Sequence, residues 1–205
     1  MLWKHHLLES LYLKDDMVTL TKKQNLFFLF GLSALMWLTR GHHLASLAQL
    51  PDASWAVFFI VGFYFSSFAV IAFFFAQAAL IDYLVVHHLG IGQSCFTLAY
   101  GFLLPAYLSL WIAGKWLAKH CTINLNGLKN FLMAAVMAIV VCELISSGSY
   151  YFMNVPHDAS IAEFMTRVIG YLPFALEITL AYLAFALVLH LLVFIPAQKQ
   201  VLPQE

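Results

Sequence analysis

Charge is what this sequence has least of. Only 10% of its 205 residues are Asp, Glu, Lys or Arg, against about 25% in a typical soluble protein, too few to cover a water-soluble surface. Ten Lys plus Arg balance ten Asp plus Glu, so there is no basic excess to follow a phosphate backbone, and nucleic acid is excluded as a partner. Cysteine is scarce too. Cys95, Cys121 and Cys142 are an odd number without CxxC spacing, which fits neither a disulfide framework nor a structural zinc site. The chain has no Walker motif, no internal repeat and no low-complexity linker. No small-x-small site directly follows its first apolar run, so a cleaved signal peptide is not expected. What it has is apolar residues, 63% of the total, and they predict an all-α integral membrane protein.

A membrane-spanning helix takes about 20 mostly apolar residues, because the hydrocarbon core is about 30 Å thick and each residue rises about 1.5 Å. By that measure Leu26–Leu38 just spans with its flanks. Ser54–Val86 is too long for one span and divides near Ser66 and Ser67 into a short second helix and a full third. Phe96–Leu117, Leu128–Ile145 and Tyr171–Ile195 supply three more. The expectation is six transmembrane helices in a single membrane domain, 1–205. Residues 1–23 form a polar N-terminal segment, within which Met17 serves as well as Met1 for a start. Residues 146–170 form a longer loop, where Ile161, Phe164, Met165 and Val168 at helical spacing predict a short amphipathic helix at the interface.

Orientation follows from the lysines and arginines. Lys4, Lys14, Lys22, Lys23, Lys115, Lys119, Lys129 and Lys199 fall on one side of this topology, and Arg40 and Arg167 on the other. Positive connections stay in the cytoplasm, so both termini are expected there, in the cytoplasmic (inner) membrane. Asp82, Glu143 and Glu177 then share a depth of one to two turns below the outer surface. A charged side chain at the bilayer centre costs about 3 kcal/mol on insertion scales, so these acids either line a polar cavity open to the outside, snorkel to the headgroups, or pair with Arg40 or Arg167.

The remaining polar residues are less orderly. His5/His6, His42/His43 and His87/His88 are adjacent pairs, and neighbours on a helix point about 100° apart, so no pair chelates a metal from one helical face. His190 alone lies in a span, too few for haem held between two helices. His42 or His43 can line the mouth of a site. Cys121 sits in a lysine-flanked loop, Cys142 in a helix as a small packing residue. Cys95 ends a glycine-containing outer loop where the fourth helix begins, and a helix N-terminus favours the thiolate, a soft ligand or nucleophile; an inert thiol is the other reading. Beyond it Tyr100 and Tyr107, seven residues apart, share a helical face, with Pro105 able to kink the helix between them. That stripe is either helix packing or an aromatic wall beneath the thiol.

The stretch RGHHLASLAQLPDASWAVFFIVGFY (Arg40–Tyr64), the segment SCFTLAYGFLLPAYLSLWIAGKW (Ser94–Trp116) and the six-helix count resemble the BtuM-type cobalamin transporters, which are similar to solitary substrate-binding S-components of energy-coupling-factor transporters. The likeness covers most of the chain after Met17. It implies an S-component-like bundle that binds cobalamin (vitamin B12) from the outer face as its transported substrate. The cobalt ligand would be the Cys95 thiolate, which could also displace cyanide from cyanocobalamin. A separate energising module is an implied partner beside the lipid bilayer, although Gly31, Ser33 and Ala34 do not form the AxxxA face with which S-components commonly dock. The expected ligand-binding set is Phe96, Tyr100, Tyr107, Asp82, Glu143, Glu177, Arg40 and His42. A soft thiolate suits a polarisable metal, and apolar walls suit a large corrin ring. The alternative is an intramembrane thiol enzyme, with Cys95 as nucleophile and an outer His and Arg as base and oxyanion partner. A third is an assembly subunit without a ligand.

Overall fold

The computed structural model describes residues 22–40, 50–89, 97–122, 124–154 and 159–194. Among them there is no strand. The elements are α1 (Lys22–Arg40), α2 (Ser54–Tyr64), α3 (Phe68–Leu89), a 3-10 helix (Leu98–Phe102), α4 (Leu103–His120), α5 (Leu125–Asn154), α6 (Ile161–Leu189) and a closing π-helical turn (His190–Phe194). Three of these segments are long and apolar enough to cross a membrane: Phe68–His87, Leu125–Asn154 and Ile161–Leu192. α1 and α4, at 19 and 18 residues, approach the same length but end in polar residues. At 11 residues α2 is only about 16 Å long.

The break between α2 and α3 falls at the expected serines. Phe65 leaves the helix with φ −127° and ψ 113°, and the Ser67 hydroxyl accepts the Ala69 N–H at 3.2 Å to start α3, as a capping serine does. α2 is apolar on every side, and such a helix belongs in the interior. Residues Ala56 to Gly62 are all buried. It packs most extensively against α4, and two glycines permit that approach. A Cβ at Gly62 would lie 2.1 Å from the Trp111 carbonyl oxygen, and one at Gly114 would lie 2.0 Å from that of Phe59. Phe58, Phe59, Phe74, Met36 and Ile81 fill the core around this crossing.

Two expectations need correction. Residues 146–170 are mostly helix, with α5 running on to Asn154 and α6 starting at Ile161. The Ser-Ser-Gly-Ser run does not end α5, because Ser146 returns its hydroxyl to the Cys142 carbonyl (2.8 Å) and Ser149 to that of Ser146 (2.9 Å), a bond that lets serine stay inside a helix. The amphipathic stretch is the opening of α6. Ser160 caps it by accepting the Glu163 N–H at 3.2 Å, the Ser-x-x-Glu spacing of a capping box, and the helix continues through Pro173. Tyr151, Phe164 and Val168 form a small core of their own between α5 and α6. The second correction concerns Pro105. The α-helical part of the fourth apolar segment begins at Leu103, so this proline lies in the first turn, where its missing N–H has no intrahelical role. It shapes a helix start and does not kink a continuous helix.

α6 is the least covered element. Ile169, Phe174 and Phe185 are 68%, 64% and 65% exposed. Large aromatic and aliphatic side chains at that exposure suit a hydrocarbon surrounding and not water.

Candidate functional site

Arg40, the last residue of α1, is the hub of the polar residues. Its Nε donates to Asp82 Oδ1 and its Nη2 to Asp82 Oδ2, both at 2.6 Å. Its Nη1 donates to Ser54 Oγ (2.9 Å), to the Tyr107 hydroxyl (2.9 Å) and, at 3.3 Å, to Asp52 Oδ2. Tyr100 donates its hydroxyl to Asp82 Oδ2 at 2.8 Å. One guanidinium therefore joins the end of α1, the start of α2, the C-terminal part of α3 and the first turns of α4. The Arg40 side chain is 10% exposed and that of Asp82 21%. Pairing is what makes such charges tolerable in a low-dielectric surrounding, since breaking a pair leaves one charge buried and uncompensated.

Local sequence prepares the site. Asp52 Oδ1 accepts both the Ser54 backbone N–H (2.9 Å) and the Ser54 hydroxyl (2.6 Å), turning the chain into α2 and leaving Oδ2 for Arg40. Thr39 accepts the Ala53 N–H at 3.2 Å. Tyr107 stacks on Phe58 with ring centroids 4.4 Å apart, and Tyr182 of α6 donates to the Pro51 carbonyl at 2.8 Å.

The cluster joins residues that flank two stretches of the sequence. Arg40 precedes residues 41–49, and its partners Asp52 and Ser54 follow them. Asp82, two turns before the end of α3, and Tyr100 lie on either side of residues 90–96 and are bonded to each other. The Arg40–Asp82 pair connects the two sets of contacts.

Of the expected site residues, Arg40, Asp82, Tyr100 and Tyr107 are thus brought together, Tyr100 from the 3-10 helix and Tyr107 from α4. His42, Cys95 and Phe96 lie outside the described residues. Glu143 and Glu177 do not join the cluster through any hydrogen bond among the described residues. Glu143 is buried and accepts the Ser147 hydroxyl. Glu177 is exposed on α6, more than a turn beyond the Tyr182 contact with Pro51. Asp52 and Ser54 are partners the sequence reading missed. The Asp-x-Ser spacing after Pro51, in which Asp52 accepts the N–H two residues on as in an Asx-turn, is the signal that marks them.

A second polar feature sits at the other end. The Tyr64 hydroxyl and His190 Nδ1 are 2.5 Å apart, at the wall of a cavity of about 260 Å³ between α2, α4, α5 and α6. Among the described residues no group of three His, Cys, Asp or Glu could hold a metal ion.

The described chain is an all-helical protein with three helices able to cross a membrane. No protein-family model matches its sequence, and no curated protein does.

Proposed function

We propose that this protein is a six-span membrane component of vitamin B12 uptake in the cytoplasmic membrane, binding cobalamin from the outer face. The observation that carries this reading is the Arg40–Asp82 pair, which brings together described residues flanking the segments that contain His42 and Cys95. In sequence His42 lies between Arg40 and Asp52, and Cys95 between Asp82 and Tyr100, all four in one partly aromatic cluster. A Cys95 thiolate beside this cluster would meet the cobalt of a corrin lying over Tyr100 and neighbouring apolar side chains, a soft donor for a polarisable metal, while Tyr107, buried against Phe58, supports Arg40 from within. Phe96 follows Cys95 directly in sequence and would stay close to a corrin bound there. Loss of cyanide from cyanocobalamin would follow if the thiolate takes the axial position. The chain has no Walker motif, so any ATP-driven step would come from a separate protein.

The same geometry weighs against the thiol-enzyme alternative. Arg40 directs donors to Asp82, Asp52, Ser54 and Tyr107, and Arg167 pairs with Glu163 at 2.7 Å. Each described arginine is thereby engaged with a carboxylate and poorly placed to receive an oxyanion.

The test is a visible spectrum of the purified protein in detergent after cobalamin is added and the excess removed. A stoichiometric corrin spectrum is the expected result. Its absence, or turnover of a peptide or lipid substrate without corrin, overturns the reading.

A further inference from the structure

Between the Arg40 cluster and the Tyr151 end of the bundle the chain crosses one level three times, and helical regularity is weakened at each crossing. α4 and α5 run antiparallel, with Asn130 Nδ2 donating to the His120 carbonyl at one end (3.1 Å) and Asn154 Nδ2 to Thr97 Oγ1 at the other (3.3 Å). From Thr97 to Phe102 the 3-10 helix advances about 10 Å, at about 2.0 Å per residue, and α5 covers about 9 Å from Asn154 back to Gly148. Phe102 and Gly148 thus stand at one height. α5 and α6 are antiparallel too, with Tyr151 stacked on Phe164 at one end and Phe131 and Leu183 lining one cavity at the other. Equal steps from the Tyr151–Phe164 contact lead to Ile145 in α5 and Gly170 in α6.

In the fourth apolar segment the backbone changes from 3-10 to α at Phe102–Leu103, with Gly101 before the change and Pro105 after it. In α5, Ser146 and Ser149 return their hydroxyls to helix carbonyls, a bond that often bends a helix, and Gly148 lies between them. In α6, Pro173 has no N–H to give the Ile169 carbonyl, and Gly170, with nothing within 4 Å of an added Cβ, supplies no side chain to brace the turn.

Beyond this level the protein is tied within itself. Tyr151, Phe164 and Val168 form a core apart from the main one, and Leu172 packs against both. The Tyr151 hydroxyl accepts the Ser160 N–H (3.1 Å) and donates to Glu163 Oε2 (3.1 Å), while Arg167 pairs with Glu163 and lies over the Tyr151 ring. Asn154 joins this end of α5 to Thr97, and three residues on Tyr100 bonds Asp82. Displacement of this outer part therefore pulls on the Arg40 cluster.

We propose that it is a hinged lid: the 3-10 helix and the adjoining ends of α5 and α6 pivot as one body about Phe102–Leu103, Ser146–Gly148 and Gly170–Pro173, covering and uncovering the Arg40 cluster. A hinge needs only a few residues that absorb backbone change between two rigid bodies. That the lid admits cobalamin rests on the reading above; the hinge itself does not.

The experiment measures distances between pairs of nitroxide labels by pulsed electron resonance, on the full chain in lipid nanodiscs with Cys95→Ala and Cys121→Ala and the buried Cys142 retained. The label sites are exposed, Leu98 and Met165 in the lid and Phe73 and Leu132 in the body. Leu98–Met165 and Phe73–Leu132 are expected to give single narrow distributions, and Met165–Phe73 two maxima. Gly170→Ala/Pro173→Ala, which replaces two poor helix formers by a good one, should merge the two maxima into one. A single narrow maximum for Met165–Phe73 without those substitutions overturns the proposal, as does persistence of both maxima with them. A Leu98–Met165 distribution as broad as that of Met165–Phe73 also overturns it, since the ends would then fray independently. With all cysteines native, Gly170→Ala/Pro173→Ala should slow association and release of cobalamin together, several-fold, because entry and exit both wait on the lid; unchanged or faster rates overturn the gating. Absence of a corrin spectrum in both chains defeats the transport reading and leaves the hinge to be decided by the label distances.

Discussion

Arg40 and Asp82, 42 positions apart in sequence, meet in a two-point ion pair in which Nε and Nη2 each donate to a different carboxylate oxygen at 2.6 Å. A fork on a fork fixes orientation as well as distance. Because Arg40 ends α1 and Asp82 lies two turns from the end of α3, the pair sets how these helices stand relative to each other at the rim of the proposed site.

Arg40→Gln and Asp82→Asn should therefore each destabilise the protein. The loss is of the order of 3 kcal/mol, the scale for removing one partner of a buried pair. Arg40→Lys should recover little, since an ammonium cannot make the same two-point contact. The double variant Arg40→Gln/Asp82→Asn should lose less than the sum of the singles, because no charge is left without a partner. Thermal unfolding in detergent of the four variants measures this; strict additivity would show that the pair contributes no coupling.

Part of this arrangement was legible in the sequence and part was not. Uninterrupted apolar length identifies helices, so the division of Ser54–Val86 at its serines was readable. Ser146, Ser147 and Ser149 were misread as loop formers because a serine's effect depends on where its hydroxyl goes, and Ser146 and Ser149 bond back to their own helix. Asp82 was identifiable as an acid at membrane depth, Arg40 as a possible partner for it, and Tyr100 and Tyr107 as one helical stripe. Their convergence on one point depends on tertiary packing across α1, α3 and α4, which periodicity does not encode. Glu177 shows the opposite error: depth was counted from Tyr171, while α6 begins ten residues earlier at Ile161.

The α2–α4 crossing makes a second prediction, about backbone approach. Gly62→Ala and Gly114→Ala should each destabilise by about 1–3 kcal/mol, as overpacking of a well-filled interior does, because the intruding methyl meets a main-chain carbonyl that cannot swing aside. Gly31→Ala is the control, with nothing within 4 Å of the added Cβ. It should be neutral or slightly stabilising, as Ala replaces Gly within a helix. Detergent unfolding midpoints for the three variants test the order; similar losses in all three would remove the steric explanation.

Topology supplies a third prediction. With eight lysines on one side and two arginines on the other, the positive-inside asymmetry predicts that a reporter fused after Glu205 reads cytoplasmic and one inserted in the connection between α5 and α6 reads external. A C-terminal fusion that reads external would overturn both the orientation and the placement of the Arg40 cluster at the outer face.

Which thiol would meet cobalt in the proposed complex is the most discriminating question, and burial separates the candidates. Cys142 is fully buried in α5 and packs in the core, out of reach of a ligand entering from solvent. Cys121 lies at the lysine-bearing end of the bundle, where burial pushes its thiol above the usual range, making it a poorer thiolate at neutral pH. Cys95 lies in sequence between Asp82 and Tyr100, which bond to each other on the proposed outer face. Cys95→Ser should weaken cobalamin binding and abolish thiol-driven loss of cyanide, because a hydroxyl is a harder and far less ionised donor than a thiol. Cys121→Ser should leave both unchanged. Cys142→Ser should lower stability through its packing while leaving the spectrum of bound corrin intact. Titration of each variant with cyanocobalamin, followed by the absorbance change that marks a new axial sulfur ligand, decides among them. If Cys95→Ser binds with unchanged affinity and spectrum, the cobalt has no bond to this thiol, and other contacts must hold the corrin.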